Sequence, residues 1–136
     1  MQNNIFSIQN KKTIITGGSR GIGLCLAKNF FDLGSDVTIF DKISPNEKSN
    51  IDFIKCNIGE YDSIKKSVNK YYKKNKTPDI LVNCAAITLP EETIKYSKYD
   101  WDKTLSVNLS GIFFLCKEVG SLMIKNKIQG SIINFT

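Results

Sequence analysis

The sequence predicts an α/β fold, a doubly wound parallel sheet with helices on both faces, and three observations carry that expectation. Strand-like apolar runs alternate with helical patterns along the whole chain. The first strand enters the first helix through a turn that carries Gly17, Gly21 and Gly23. The second strand ends on a carboxylate, Asp41. Alternation of this kind joins parallel strands through right-handed crossovers, which place helices above and below the sheet.

Each element has its own local reason. Thr13-Ile14-Ile15 is β-branched and lacks polar alternation, the pattern of a central strand buried on both faces. Beyond the turn, Ile22, Leu26, Phe30 and Leu33 recur at helical spacing, and Gly34 stands where a left-handed C-terminal cap belongs. Val37-Thr38-Ile39-Phe40 is the second strand, closed by Asp41. A polar loop from Lys42 to Asn50, containing Pro45, leads into a short third strand from Ile51 to Lys55, which runs on to Asn57 and Ile58. Glu60 to Lys74 reads as a helix, and Thr77-Pro78 breaks the chain before the fourth strand, Ile80-Leu81-Val82. One long helical region follows, from Lys98 to Lys125, and Ser131-Ile132-Ile133-Asn134-Phe135 is the fifth strand.

Neither a repeat nor a linker divides these elements, and 136 residues suffice for one domain with a real core but not for two. The composition, 41% apolar and 24% charged, is that of an ordinary soluble globular protein. Met1 to Asn10 lacks the basic start and apolar run of a secretory signal. Ile112-Phe113-Phe114-Leu115-Cys116, closed by Lys117 and Glu118, is far short of a membrane span. The expectation is a cytoplasmic protein with no membrane partner. A net charge of +6 raises the question of nucleic acid, yet every basic residue except Arg20 is a lysine, scattered over the helices. In the densest cluster, Lys65, Lys66, Lys70, Lys73, Lys74 and Lys76 surround an apolar stripe of Ile64, Val68, Tyr71 and Tyr72. That is the solvated face of an amphipathic helix rather than a nucleic-acid site. Cys25, Cys56, Cys84 and Cys116 form no CxxC pair and the chain has no histidine, so neither a metal site nor a disulfide is expected.

The run Thr16-Gly17-Gly18-Ser19-Arg20-Gly21-Ile22-Gly23 is where the sequence points to chemistry. Glycines let the backbone turn sharply and approach a ligand, while free amides and the positive end of the helix dipole favour negative charge. Such a turn suits a pyrophosphate; a turn without ligand is the plain alternative. Asp41 favours the first, because it stands at the distance expected of a carboxylate that binds the adenosine ribose of a dinucleotide in a Rossmann-like sheet. A carboxylate there accepts the ribose hydroxyls and repels a 2′-phosphate, which favours NAD. Arg20 and Lys42 are each able to pair with that phosphate and keep NADP open.

Thr16, Gly17, Gly21 and Gly23 match the TGxxxGxG pattern in full, and on these residues the chain resembles the short-chain dehydrogenase/reductase family. The stretch from Trp101 to Phe114 is similar to that family's helix after the fourth strand, with its W-D, V-N-L, glycine and aromatic pattern. Asn83-Cys84-Ala85-Ala86 resembles the family's NNAG segment with the second and fourth positions changed, and the side chain of Ala86 is expected to narrow the backbone's freedom. The resemblance implies the strand order 3-2-1-4-5. It also implies that Gly17, Ser19, Arg20, Gly21, Ile22 and Gly23 hold the pyrophosphate and adjoining groups, and Asp41 the ribose. Asn57 and Ile58 would then flank the adenine, and Asn83 and Ala85 the nicotinamide side. Asn57 stands where the family usually has aspartate, keeping a polar amide without the charge. For both asparagines a strand-end turn bonded to local backbone stays open as the alternative. Asn108 matches the asparagine that holds a water in a proton relay behind the catalytic lysine, a task suited to an amide that donates and accepts at once. Related enzymes dimerise through this helix, and Ile112, Phe113, Phe114, Val119, Leu122 and Met123 exceed one core-facing stripe. A homo-oligomer through it is one expectation, extra core the other.

The implied activity is hydride transfer between a nicotinamide cofactor and the carbonyl or alcohol of a small-molecule substrate. In the family, a serine after the fifth strand and a later tyrosine and lysine, four residues apart, carry the proton chemistry. Thr136 is reached before any of them. Three upstream pairs have the right spacing, Tyr61 with Lys65, Tyr72 with Lys76 and Tyr99 with Lys103. All precede the fifth strand, and none is expected to be catalytic. The resemblance covers the first half of a typical member and lacks the family's last two strands, which leaves the fifth strand as an apolar sheet edge. The chain is therefore expected to bind a dinucleotide and to be inactive alone. A non-catalytic binding module and a non-functional gene fragment are the alternatives.

Overall fold

In the computed structural model, which describes residues 7–46, 49–74 and 76–135, five strands form one parallel sheet. They are β1 (Lys12–Thr16), β2 (Asp36–Asp41), β3 (Asp52–Lys55), β4 (Ile80–Asn83) and β5 (Ser131–Asn134). Their order is β3-β2-β1-β4-β5, as the resemblance implies. Most of the Met1–Asn10 segment, two positions of the Lys42–Asn50 loop and Thr136 lie outside the described residues.

Parallel pairing follows from where the apolar side chains point. Ile14, Ile15, Val37, Ile39, Leu81 and Val82 leave almost no surface exposed, so the sheet needs cover on both faces. α1 (Gly21–Asp32) supplies it on one face, packing Leu26, Ala27 and Phe30 over Ile15, Val37, Ile39 and Val82. α2 (Tyr61–Tyr72) and α4 (Ile112–Lys125) supply it on the other. Their Ile64, Val68, Tyr71, Leu115, Val119 and Met123 meet Ile14, Phe40, Ile54 and Leu81. Each fully buried large aliphatic side chain contributes roughly 1.5–3 kcal/mol by leaving water.

The inward stripe of α1 differs from the one that spacing predicts. Ile22 and Leu33 are 66% and 64% exposed, whereas Gly23 and Ala27 are buried. The helix starts so close to the glycine turn that only small residues fit against it. Gly34 caps the helix as expected, with φ +85 and its N–H donated to Phe31 O. The lysine face of α2 is solvated, and the exception lies in the loop just past the helix. There Lys76 is half-buried and donates to Asp36 at 2.7 Å and to Asp52 at 3.1 Å.

The expected long helix is continuous but changes its winding midway. α3 (Lys98–Leu105) passes into a π-helical segment, Ser106–Gly111, before α4 begins. Within Lys98–Lys125 an 18-residue window averages a hydropathy of 1.4, long and apolar enough to cross a membrane by length and composition alone. The apolar stretch is longer than Ile112–Cys116, the longest run that the sequence alone suggests. In this fold the apolar residues have a different use: Leu115, Val119 and Met123 are buried against the sheet. β5 pairs with β4 on one side only, and its four residues are all exposed, Ile133 by 44%.

Candidate functional site

The strand order reverses between β1 and β4: the chain leaves β1 for α1 on one face and leaves β4 for the helices on the other. Beyond the carboxyl ends of these strands a crevice must open, which is where open α/β sheets bind ligands. A cleft lies there, with Gly17, Arg20, Asp41 and Lys42 on one side and Cys84, Ala85, Ala86 and Ile87 on the other. Phe40, Cys56, Asn57, Ile58 and Val107 complete it.

The first wall is the glycine turn. Gly17 adopts φ +66, and a Cβ on it would sit 2.7 Å from the Ala85 Cα, so no other residue fits. Its N–H is donated to Phe40 O at 2.9 Å, which binds the turn to the end of β2. The Asp41 carboxylate fastens the same junction by accepting from Ser19 N at 3.1 Å and Ile43 N at 3.4 Å. Ser19 Oγ donates to Ile43 O at 2.5 Å. α1 begins behind this turn with no side-chain cap and no acidic residue in its first turn, so its positive end stays available to an anion.

The second wall is held by residues distant in sequence. Thr16 Oγ1 accepts from Cys84 N at 3.1 Å and Ala85 N at 3.0 Å. Asn108 lies in the π-helical segment and holds the Ile87 backbone from both sides: Oδ1 accepts from Ile87 N at 2.9 Å and Nδ2 donates to Ile87 O at 2.8 Å. Asn57 forms a turn of its own, with Oδ1 accepting from Gly59 N and Nδ2 donating to Glu60 at 2.6 Å. Burial pushes the Cys56 and Cys84 thiols up from their ordinary value, so both stay protonated and neutral near pH 7.

Of the residues singled out by sequence, Gly17, Arg20, Asp41, Asn57, Ile58 and Ala85 meet at this cleft. The others have different positions. Gly23 is buried beneath the turn, where a Cβ would come within 2.2 Å of Gly17 O; it lets helix and turn touch rather than holding a ligand. Gly21 takes φ +55 at the start of α1, and the Ile22 side chain faces solvent. Ser19 commits both its donors to the β2 end, joining the turn to Asp41 and Ile43. Asn83 is 1% exposed and turns away from the cleft toward β5 and α4, donating to Asn134 Oδ1 at 2.8 Å and Cys116 Sγ at 3.4 Å. Its side chain therefore does not reach the nicotinamide side. The Asn108 amide bonds Ile87 at both ends with one N–H and one oxygen lone pair, so its side chain anchors the loop that carries Ile87. Ala86 lies in an ordinary backbone region, since the only non-glycine positive φ values among the described residues are at Asn10 and Lys127.

Sequence reasoning missed the role of Thr16 and the lining residues Phe40, Ile87 and Val107. Thr16 carried a signal, a hydroxyl at the end of a buried strand, but its partners lie in another loop.

The chain is similar in sequence and fold to known proteins. The family profile described as short chain dehydrogenase matches residues 11–136. The chain belongs to this family. A 3-oxoacyl-(acyl-carrier-protein) reductase of Chlamydia pneumoniae is 35% identical over 138 residues, covering 94% of this chain and 55% of that protein. Among solved structures, a short chain dehydrogenase from Leptospira borgpetersenii with bound NAD+ superposes with a TM-score of 0.90 at 30% identity, covering 95% of this chain and 52% of that one. The aldohexose dehydrogenase of Thermoplasma acidophilum superposes with a TM-score of 0.87 at 31% identity, covering 93% and 49%. The chain spans about half the length of the curated relatives it matches. Within this short-chain dehydrogenase sheet the three upstream tyrosine–lysine pairs serve elsewhere. Tyr61 donates to Glu118 at 2.7 Å, Lys76 pairs with Asp36 and Asp52, and Lys103 lies 5.7 Å from the Tyr99 ring. None of the six residues lines the cleft.

Proposed function

We propose that the cleft binds a nicotinamide dinucleotide and that the chain is the cofactor-binding part of an oxidoreductase acting on a carbonyl or alcohol. One observation carries the reading: the uncapped start of α1, the glycine turn and the Asp41 carboxylate are bonded into one unit at the switch point of the sheet. Backbone amides at Gly21 and Ile22 would meet the pyrophosphate, Asp41 the adenosine ribose, and Ile58 with Val107 the adenine face. Ala85, Ala86 and Ile87 would flank the nicotinamide ring. When bound, the nicotinamide supplies the carbon that gives or takes hydride; this chain's own residues bind it, orient it and keep water from its apolar wall. Membership of the family, a structural relative that holds NAD+ and a curated relative named as a reductase support this assignment.

The carboxylate at Asp41 favours NAD over NADP, because it would face a 2′-phosphate across a ribose-length gap. Arg20 and Lys42 at the same cleft reduce that preference without reversing it. Fluorescence titration of the purified chain with NADH and NADPH tests the proposal. Saturable NADH binding, tighter than NADPH, is the expected result, and a folded chain that binds neither would falsify it. No alcohol or carbonyl turnover is expected from these residues alone, because the cleft holds no tyrosine, serine or charged lysine beyond Lys42 among its described lining residues.

The same reading extends to assembly. Leu109 and Phe113, each 62% exposed, project from the helix that carries Asn108, beside the Phe114 ring stacked on Tyr61 at 4.4 Å. A second copy of the chain against this face would cover them, and sedimentation of the wild type beside Phe113→Lys would report it as a dimer that the substitution dissociates.

A further inference from the structure

The β3–α2 loop and the π-helical segment meet through two glycines. A Cβ built on Gly111 would lie 2.4 Å from Ile58 O and 3.0 Å from Ile58 C, both backbone atoms that cannot swing aside. A Cβ on Gly59, from the opposite side of the seam, would lie 3.1 Å from Val107 Cγ2 and 3.3 Å from Ser106 Oγ. The residues next to this contact, Ile58 and Val107, are each 6% exposed and both line the cleft. Gly111 has neither a positive φ nor a turn to make: it sits inside a continuous helix, where alanine is intrinsically favoured. Its lack of a side chain is explained chiefly by the close approach of the Ile58 carbonyl, with Ser106 O, 3.2 Å from the same Cβ position, adding a lesser crowding.

We propose that Gly111 is a positioning residue for the cofactor cleft. By leaving room for the Ile58 carbonyl, it seats Ile58 and Val107 side by side as one apolar wall, and the π-helical winding brings Val107 and Asn108 round to the cleft while Gly111 faces the loop. The same six-residue segment thus fixes two walls, Ile58 through Gly111 and Ile87 through Asn108. π-helical turns inside α-helices recur at functional sites, and here the turn has a stated mechanical use. The proposal deepens the dinucleotide reading and rests on it.

The test compares Gly111→Ala with Gly120→Ala, a glycine in the same helical run where a Cβ meets nothing within 4 Å. Both gain helix propensity, so any difference between them reports the Ile58 contact. With AMP and NADH as probes and circular dichroism confirming the fold, Gly111→Ala is expected to weaken AMP and NADH binding about tenfold or more. Gly120→Ala is expected to bind as wild type and melt at a higher temperature. A folded Gly111→Ala that binds AMP within about twofold of wild type overturns the proposal. Should Gly111→Ala not fold, the milder Gly59→Ala decides: a loss of about threefold in AMP affinity supports the seam, and an unchanged affinity overturns it. Failure of the wild type to bind either probe sinks the dinucleotide reading instead, so the two failures are distinct.

Discussion

Ser19 and Asp41, 22 residues apart, fasten one wall of the cleft, whereas on the other wall Ala85 is held by Thr16, 69 residues upstream, and Ile87 by Asn108, 21 residues on. The first wall is a matter of backbone sterics. Gly17 and Gly23 leave no room for a side chain, and one crossover brings the pieces together. The second wall is a matter of side-chain hydrogen bonds between separate elements, each satisfying a backbone group of an irregular loop. Sterically fixed walls break abruptly under substitution, whereas walls held by hydrogen bonds loosen in steps.

This contrast predicts a graded series. Gly23→Ala puts a methyl group against Gly17 O and should cost about 3 kcal/mol or more, with NADH binding lost, by chemical denaturation and titration. A stable Gly23→Ala that still binds NADH breaks the claim that the first wall is steric. Thr16→Val keeps the shape but removes the acceptor of two backbone N–H groups, and a loss of about 2–3 kcal/mol is expected from urea unfolding. Asn108→Ala should cost about 1–2 kcal/mol and speed amide exchange at Ile87 more than at Gly17. Equal acceleration at both amides would show that the walls are not held independently.

Asp41→Asn isolates charge, because the amide oxygen can still accept from Ser19 N. The NADPH-to-NADH affinity ratio should rise about tenfold with little change in melting temperature. The smallest effect lies far from the cleft. Hydrogen bonds from Lys76, then from Lys74, hold the Asp52 carboxyl below its usual range against the opposing effect of burial. A carboxyl lowered in the folded state adds stability that is present above its unfolded pKa of about 4 and is lost as pH falls through the folded value. Both partners are partly exposed, so Lys76→Met should cost under about 1 kcal/mol at neutral pH, and the difference from wild type should vanish in acid.

The strands, the glycine turn and Asp41 were legible because each is a local pattern: a β-branched run, a backbone that only glycine can follow, a carboxylate closing a strand; the sheet order came only from the family resemblance. Gly34 was legible for the same reason. The packing face of α1 was not, since the spacing of Ile22, Leu26, Phe30 and Leu33 gives a period but not the contact with Gly17 that turns Gly23 and Ala27 inward. Asn83 was misread because its neighbours in the register, Thr16 on one side and Asn134 on the other, become apparent only once β4 lies between β1 and β5.

Taken alone, the amino-acid sequence determined the α/β class, the parallel order implied by its family and the first wall of the cleft, because short-range backbone constraints are written into residue types. The tertiary structure alone decided that Thr16 and Asn108 hold the second wall, that Asn83 faces the core, and that the helix passes through a π-helical segment where Gly111 lies against Ile58. These depend on which distant groups arrive with an unpaired N–H, a carbonyl or a gap of a few ångströms, and no periodicity encodes such meetings.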